Sequence, residues 1–354
     1  MKKLIFGFSD PGGANQIAAV VNCLNNEKDK KKVLFRILTD ESGYKHKDLL
    51  PYLEIVESEL DSLEKIILDF QPDEIFTTAS LFSYIEHNLI RLAKKHGINS
   101  LTFLDHWTGY YKKFCRDGEA HFPDLILLND DRAKEIAIEK GLPRERLRIV
   151  GNLFYENLMS YSPNISKKEF FNFFDIDYNK KIILFISDSI SEQNGGYKAS
   201  MNKFGFNEIS IFTAVLRKIN ELIEIKKINS KDFSLIIKLH PKEDISKYDH
   251  YFDDSLLTNC IIAQNCDIPN HDILYYSDFH IGMFSSMVIE SIILGKKVLR
   301  VEINNIIGDL ININNKYYKY IINKSDLRDG LLWLLNNNNS LLHPQFNSTV
   351  MEYF

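Results

Sequence analysis

The sequence predicts an α/β protein with two doubly wound parallel sheets, and three observations support this. Short apolar runs alternate with longer segments of helical periodicity, first over residues 1–150 and again from residue 181. The chain has 354 residues, enough for two domains that each bury a core. Polar residues follow several of the apolar runs directly. Because ligands of open α/β sheets bind beyond the carboxyl ends of strands, these residues are the candidates for a functional site.

The first predicted domain covers residues 1–160. Five apolar runs in it are predicted strands: KLIFGF, VLFRILTD, QPDEIFTTAS, SLTFLDHW and DLILLND. Between them lie helical segments such as QIAAVVNCLN, which follows the loop SDPGGAN, and SYIEHNLIRLAKKHG, which ends at Gly97. IVESELDSLEKIILDF is predicted as a short connection and a helix. The glycines of SDPGGAN allow the close approach that a strand-to-helix turn needs.

The second predicted domain covers residues 178–335, after a linker placed between about residues 155 and 180. It begins with the strand IILFISDS, and its first long helix lies within KFGFNEISIFTAVLRKINELIEIKK. Further strands are predicted at FSLIIKL and CIIAQN, and LRDGLLWLLN is predicted as a helix. The asparagine run 336–339 is predicted as a loop. This succession again favours a parallel sheet.

Composition limits the classes of function. The net charge of −5 and the pI near 6.1 give no overall field that favours nucleic acid. The four cysteines lack metal-ligand spacing and are expected to be reduced thiols of a cytoplasmic protein. The apolar start of the chain is too short for a signal peptide and is predicted as a strand. No apolar run approaches the length of a membrane span.

Two dipeptides stand where the predicted strands of the second domain end. His240 and Pro241 follow FSLIIKL, and Ser285 and Ser286 open a helix in the segment GMFSSMVIESIILGKKV. Each has an ordinary explanation, since proline ends a strand and serine caps a helix without any ligand. Their order and context favour a phosphate site instead, because a helix N-terminus offers free amides and serine offers hydroxyls. Together they predict a site for a nucleotide sugar.

This pair of motifs resembles the donor-binding half of GT-B glycosyltransferases, especially bacterial enzymes that use CMP-activated sugars, such as sialyltransferases and Kdo transferases. CDP-glycerol polyol-phosphate transferases and UDP-N-acetylglucosamine 2-epimerases share the fold and part of the signature. The resemblance is best over residues 181–300. It implies two Rossmann-like doubly wound domains that face a central cleft, with a C-terminal tail, residues 336–354, packed back on the N-terminal domain.

The resemblance also implies roles for individual residues. His240 and Pro241 would contact the nucleotide, Ser285 and Ser286 would hold its phosphate, and Glu290 would lie on the ribose or sugar. Further candidates for donor binding are Gly282, Ser187, Ser189 and Gln264. The carboxylate of Asp188 would repel a phosphate, so the loop after IILFI is expected to use hydroxyl or backbone contacts, and Glu302 is a weak candidate for the base or ribose.

The first domain is expected to supply the acceptor site and a catalytic base, since an attacking hydroxyl must lose its proton. Asp105, which ends the strand SLTFL, and Asp10, in SDPGGAN, are the two candidates, and an Asx-turn or N-cap role for Asp10 stays open. His106 is an alternative base or an orienting group. The expected acceptor-side residues are Gly12, Gly13, Asn15 and Trp107. Trp107 would stack on a sugar, although packing is the commoner role of such a residue.

These expectations describe an inverting glycosyltransferase that moves a CMP-activated acidic sugar to a surface-glycan or lipid-linked acceptor. No cofactor and no obligatory metal are expected, because NDDR (129–132) is better explained as an N-cap with an acidic first turn, and the Ser285 helix can stabilise the leaving phosphate. Nucleic acid is not an expected partner. Peripheral contact with the inner face of a membrane and the oligomeric state stay open.

Other functions remain alternatives. A UDP-N-acetylhexosamine 2-epimerase would need acidic residues on both faces of C2, and a CDP-polyol phosphotransferase would usually show a basic membrane-binding element. A GT-B-like binding protein would tolerate replacement of Asp10 and Asp105. A nicotinamide-dependent oxidoreductase is disfavoured because SDPGGAN lacks the G-x-G-x-x-G spacing.

Overall fold

A computed structural model describes the chain except for residues 27–32, 82, 250, 252–254, 258, 265, 310–317 and 337–346. The chain divides into two compact units. The first consists of Met1–Asn157 with Gln345–Phe354, and the second of Leu158–Pro344. Each unit is built around a parallel sheet flanked by helices, so the predicted fold class of two Rossmann-like α/β domains is confirmed.

The strands of the first unit are β1 (Lys2–Gly7), β2 (Val33–Thr39), β3 (Leu53–Ile55), β4 (Glu74–Thr77), β5 (Asn99–Leu104), β6 (Cys115–Arg116), β7 (Glu119–Ala120), β8 (Leu125–Leu128) and β9 (Leu147–Ile149). Its helices are α1 (Pro11–Asn26), α2 (Leu60–Phe70), α3 (Ile85–His96), α4 (Tyr110–Lys113), α5 (Asp131–Glu139) and α6 (Leu153–Met159), which runs to the boundary between the units. Seven parallel strands form the sheet in the order β3-β2-β1-β4-β5-β8-β9, and β6 and β7 form a small antiparallel pair.

Central strands of the first unit are buried on both faces, as their continuous apolar runs predict. The C-terminal residues of the chain complete one side of this core. The Phe354 ring lies 5.8 Å from Phe6 and 5.2 Å from Phe76, and the Thr349 N–H donates to the Val150 carbonyl at 2.7 Å. Of the tail predicted over residues 336–354, residues 337–346 lie outside the described residues.

The strands of the second unit are β10 (Lys181–Ile186), β11 (Phe233–Lys238), β12 (Cys260–Ala263), β13 (Phe279–Gly282), β14 (Lys297–Val301) and β15 (Tyr318–Ile321). Its helices are α7 (Lys167–Phe173), α8 (Ile190–Gln193), α9 (Tyr197–Phe204), α10 (Glu208–Glu224), α11 (Asn270–Tyr276), α12 (Ser286–Ile293) and α13 (Leu327–Leu335). All six strands are parallel, in the order β12-β11-β10-β13-β14-β15. Side chains of α10 and α13 pack on the sheet in one apolar core.

Local signals placed several element ends correctly. Gly97 is the left-handed C-cap of α3, and Asp130 caps α5 by accepting the Ala133 N–H at 2.6 Å, as NDDR predicts. Two details differ from the predictions. Helix α1 begins at Pro11, so the glycines of SDPGGAN lie in its first turn and not in a loop. The three-residue edge strand β3 lies near the start of the segment predicted as a connection and a helix, too short to give a periodic pattern.

The described helices include none that is both long and apolar enough to cross a membrane.

Candidate functional site

In each sheet the strand order reverses once, and this reversal marks where a ligand is expected. In the second unit the reversal lies between β10 and β13, which pair in register up to Ile186 and Gly282. In the first unit it lies between β1 and β4. Chains that leave two neighbouring strands toward opposite faces open a crevice between them, and ligands of open α/β folds bind there. The residues that follow these four strands are therefore the candidates for a functional site.

Ser285 follows β13 in the second unit and occupies the N-cap position of α12 without capping it. Its side chain makes no bond to the amides of the first turn. The hydroxyl instead hydrogen-bonds to the carboxyl group of Asp188, which follows β10. Ser286 is exposed in the first turn, so the helix presents amides and a hydroxyl that no side-chain cap uses.

Gly282 sets how closely α12 approaches the sheet. A Cβ atom on this buried glycine would lie 2.6 Å from Cγ2 of Val288, which is nearer than side chains pack. Any larger residue would push the first turn of α12 away from β13. The predicted role of Gly282 therefore has a steric basis in positioning the helix N-terminus.

Asp188 is the most unusual group of this crevice. Its side chain is 9 % exposed, and its Oδ2 atom has no hydrogen-bond partner among the described residues. Burial, followed by the neighbouring carboxylates of Glu243, Glu208 and Glu302, raises the pKa of this carboxyl group to about 8. Asp188 is therefore largely protonated at neutral pH, contrary to the expectation of a repelling carboxylate.

The His240–Pro241 turn presents one ring nitrogen as a donor. The Lys242 N–H donates to Nδ1 of His240 at 3.1 Å, which leaves the proton on Nε2. Burial, followed by the charge of Lys242, lowers the pKa of this histidine, so the ring is neutral at pH 7. Pro241 is exposed. A neutral imidazole with a fixed tautomer can donate to a phosphate or a base.

Two of the other candidates hold this turn in place. The Gln264 side-chain amide donates to the carbonyls of His240 at 3.2 Å and Glu243 at 2.7 Å. The Ser187 hydroxyl donates to Glu243 at 2.7 Å, and Glu243 in turn accepts the His240 backbone N–H at 2.6 Å. These contacts position the motif, and direct contacts of Gln264 and Ser187 with a donor stay predictions.

Glu192, Glu208 and Glu243 have carboxylate oxygens within 4.8 Å of one another, close enough to share a cation. The Lys247 ammonium lies among them, at 2.7 Å from Glu192, 2.9 Å from Glu208 and 2.8 Å from Glu243. It supplies the positive charge that three neighbouring carboxylates require.

The remaining donor-side candidates are paired inside the second unit. Glu290, on α12, is 4 % exposed and lies 3.0 Å from Nε2 of His271 on α11. Ser189 is buried, and its hydroxyl accepts from the side chain of Gln193. A ribose contact by Glu290 would have to share or replace the histidine contact.

In the first unit the crevice between β1 and β4 holds a carboxyl group that sequence reasoning missed. Ser9, after β1, donates to Glu86 in the first turn of α3 at 2.8 Å. Glu86 is 3 % exposed, and its Oε2 atom has no partner among the described residues. Burial raises its pKa to about 7, with smaller contributions from Asp10 and Asp40. A carboxyl group with this pKa can exchange protons at neutral pH.

Asp105 lies next to the first turn of α1. A Cβ on Gly12 would be 1.9 Å from Oδ2 of Asp105, and a Cβ on Gly13 would be 2.2 Å from Oγ1 of Thr78. A larger residue at either position would therefore require the side chain of Asp105 or Thr78 to move. Lys113 Nζ lies 3.5 Å from the Asp105 carboxylate. The negative charge of this carboxylate also interacts favourably with the positive end of the α1 dipole. The segment Ser9–Gly13 therefore lies next to both Glu86 and Asp105.

Aromatic neighbours of Asp105 belong mostly to the core. Trp107 is 8 % exposed and its indole N–H donates to the Asp130 carboxylate at 3.0 Å, so this ring is packed and not presented for stacking on a sugar. His106 is half-buried, with Thr108 Oγ1 3.3 Å from its Nδ1. Asn15 is half-buried on α1. The catalytic and acceptor roles of these residues stay predictions.

No protein-family model matches the chain, and no curated protein matches it in sequence. Solved structures do match it. UDP-GlcNAc 2-epimerase from Methanocaldococcus jannaschii is similar over 98% of this chain and 95% of that one, with a TM-score of 0.66 and 14% identity. The Neisseria meningitidis UDP-GlcNAc 2-epimerase bound to UDP-GlcNAc has a TM-score of 0.60 and 16% identity, covering 94% of this chain and 90% of that one. HepE of Anabaena in complex with UDP-glucose has a TM-score of 0.62 and 11% identity over 94% and 89%.

At these identities the likeness establishes the fold. The chain has the two-domain GT-B-type architecture over nearly its whole length, as the resemblance in the sequence implies. The structures named above are not described as CMP-sugar transferases, so they do not support that identity.

Proposed function

We propose that this chain is an enzyme that processes a nucleotide-activated sugar, with 2-epimerisation of a UDP-N-acetylhexosamine as its favoured reaction. The observation that carries the proposal is that each unit, taken by itself, has an unusual polar group at its strand-order reversal. Ser285, an N-cap that leaves its helix uncapped, stands at one reversal, and Glu86, with a pKa near 7, stands at the other. The UDP-sugars named for the similar structures favour uridine over cytidine as the base.

Nucleotide binding is assigned to the second unit. The first amides of α12, with the Ser285 and Ser286 hydroxyls, would hold the diphosphate. The Nε2–H of His240 would donate to the same nucleotide. Because these are neutral donors and a helix dipole, we propose that the reaction needs no obligatory metal or cofactor.

Acid–base chemistry is assigned to the first unit. Inversion of a carbon centre removes a proton from one face and returns one to the other, so it needs two groups that exchange protons. Glu86, which accepts from Ser9, and Asp105, which lies next to Gly12, are the proposed pair. Burial and the charge of Asp10 raise the pKa of Glu86 to about 7, which suits this residue to exchange a proton at neutral pH.

Incubation with UDP-N-acetylglucosamine alone in D₂O tests the reaction directly. Epimerisation should yield the C2 epimer with deuterium at C2, because the returned proton comes from solvent. The product and the label are read by NMR. Substrate recovered without deuterium, after prolonged incubation with folded enzyme that binds UDP, would exclude epimerisation.

Replacing both Ser285 and Ser286 by alanine is expected to weaken UDP binding by about tenfold to a hundredfold, because two hydroxyl contacts to a charged phosphate are lost. Titration calorimetry measures the change. Ser285 makes no cap bond, so Ser285→Ala should lower the melting temperature only through the loss of its contact with Asp188. Ser166 does cap α7, and Ser166→Ala is the control that should cost about 1 kcal/mol of stability and no affinity. Unchanged UDP affinity in the double variant would refute the phosphate assignment.

Transfer of a sugar to a surface-glycan acceptor, with a CMP-activated acidic sugar as donor, is the second candidate. The observation in its favour is Asp105 at the end of β5, placed as a base against α1 and Lys113. A transferase of this kind should consume its CMP-sugar donor only when a glycan acceptor is present. A CDP-polyol phosphotransferase would be recognised by the nucleotide that it binds. A cytoplasmic binding protein would be recognised because it binds a nucleotide sugar without turning it over.

Asp105→Asn is expected to lower turnover at least a hundredfold in either reaction and to change nucleotide affinity less than twofold, because the amide keeps the shape but cannot take a proton. Initial rates and calorimetric affinities separate these effects. Turnover at the wild-type rate would remove Asp105 from the mechanism.

A further inference from the structure

The crevice between β10 and β13 contains a carboxyl group where the proposed function places a phosphate. Asp188 follows β10, hydrogen-bonds with Ser285 at the N-terminus of α12, and is 9 % exposed. Two anions in contact would repel strongly in such a buried place. Either the phosphate does not bind there, or the carboxyl group is neutral when it does.

The charges around Asp188 decide between these possibilities. Three elements direct carboxylates toward it: Glu208 at the start of α10, Glu243 in the turn after β11, and Glu302 after β14. The cations of this region are already paired. Lys247 contacts Glu208 and Glu243, together with Glu192 of α8, and Arg300 contacts Glu302 at 2.5 Å.

No ion pair to Asp188 occurs among the described residues, and its Oδ2 atom has no hydrogen-bond partner there. A buried oxygen that lacks both a donor and a cation is best accommodated as part of a neutral acid. The proton then provides one donor, which the surrounding protein does not use. The carboxyl group that carries this proton interacts with Ser285 at the uncapped N-terminus of α12.

We propose that Asp188 is a protonated carboxylic acid that donates a hydrogen bond to the phosphate of the bound nucleotide. The proposal rests on the proposed function and adds a pH dependence to it. A proton on Asp188 turns a repelling carboxylate into a hydrogen-bond donor. Phosphate binding and protonation of Asp188 therefore favour each other. Phosphate binding should then weaken when the solution is alkaline enough to remove this proton.

Calorimetric titration with UDP at pH 7.0 and pH 9.0 tests this. Burial raises the pKa of Asp188 to about 8, so the wild-type affinity should fall about tenfold over this interval. The phosphate does not confound the comparison, since its last proton leaves near pH 6. Uridine, which lacks phosphate, is the ligand control, and its affinity should change equally in all the proteins.

Asp188→Asn is the decisive variant, because its amide donates at every pH and carries no charge. It should bind UDP within about twofold of the wild-type affinity at pH 7.0 and should keep that affinity at pH 9.0. Asp188→Ala, which has no donor, should bind about tenfold more weakly at both pH values. Burial lowers the pKa of Lys296, which follows the C-terminal end of α12, to about 8. Because Lys296 should titrate equally in wild type and variants, it does not affect the difference in pH dependence between them.

Equal pH dependence in wild type and Asp188→Asn would overturn this inference while leaving nucleotide binding intact. A wild-type affinity that is constant from pH 7.0 to pH 9.0 would also overturn it. Absence of UDP, CDP and CMP binding in the folded wild type at pH 7.0 would overturn the proposed function itself, and the inference with it. Melting temperatures of the variants confirm that each compared protein is folded.

Discussion

Glu86→Gln is expected to lower turnover by about a hundredfold or more at pH 7 and, at the same time, to stabilise the fold. The first effect follows because glutamine cannot exchange a proton. The second follows from burial, which raises the pKa of Glu86 to about 7. The glutamine amide keeps an acceptor for the Ser9 hydroxyl and presents a donor toward the carboxylates of Asp10 and Asp40.

The stability gained by Glu86→Gln should increase as the pH rises. In the unfolded chain Glu86 loses its proton near the ordinary value of 4.5, whereas the folded protein holds that proton until about pH 7. The wild type therefore loses stability as the pH rises from 4.5 toward 7, and the loss is about 3 kcal/mol at neutral pH. Glutamine removes this cost, so the variant should gain stability at pH 8 and gain almost nothing at pH 4.

Urea denaturation at pH 4 and pH 8 and UDP-sugar turnover at pH 7 measure the two effects separately. Glu119→Gln is a suitable control because this side chain is exposed, and it should change neither property measurably. A Glu86→Gln variant that is no more stable at pH 8 than wild type would contradict the buried, protonated state. Full turnover would show that Glu86 is not part of the acid–base machinery.

Arg300→Met is expected to destabilise the protein by about 3 to 5 kcal/mol, because it leaves buried acidic groups without their cation. Arg300 and Glu302 are both fully buried, and Nε of Arg300 lies 2.5 Å from Oε1 of Glu302. A second nitrogen, Nη1, donates to the Tyr318 hydroxyl at 3.1 Å and lies 2.5 Å from Asp309. The guanidinium thus links the end of β14 with the start of β15.

Urea denaturation at pH 7 measures this effect. Combining Arg300→Met with Glu302→Gln should recover part of the loss, since the second change removes the unpaired charge. The matched control is Arg132→Met, which removes an exposed pair with Glu135 at 3.1 Å and should cost less than about 1 kcal/mol. Equal losses from the two arginine variants would mean that the buried pair contributes no more than a surface pair.

The fold class and one half of the candidate site were predictable from local patterns. Continuous apolar runs such as FSLIIKL indicate strands buried on both faces, and polar residues just after them must lie at the carboxyl edge of a parallel sheet. This reasoning found His240, Ser285 and Gly12 because each depends only on residues a few positions away. It missed the three-residue strand β3 and the early start of α1, where length and a distant contact matter more than pattern.

The sequence by itself determined the alternation of strands and helices, the helix caps at Gly97 and Asp130, and which polar residues follow the main strands. Only the tertiary structure decided which of these ends become neighbours. Ser9 meets Glu86 across 77 positions, and Asp188 meets Ser285 across the reversal between β10 and β13. The two raised pKa values arise from burial and from carboxylates far apart along the chain. Local patterns depend on backbone geometry over a few residues, whereas desolvation and charge coupling depend on packing between distant segments.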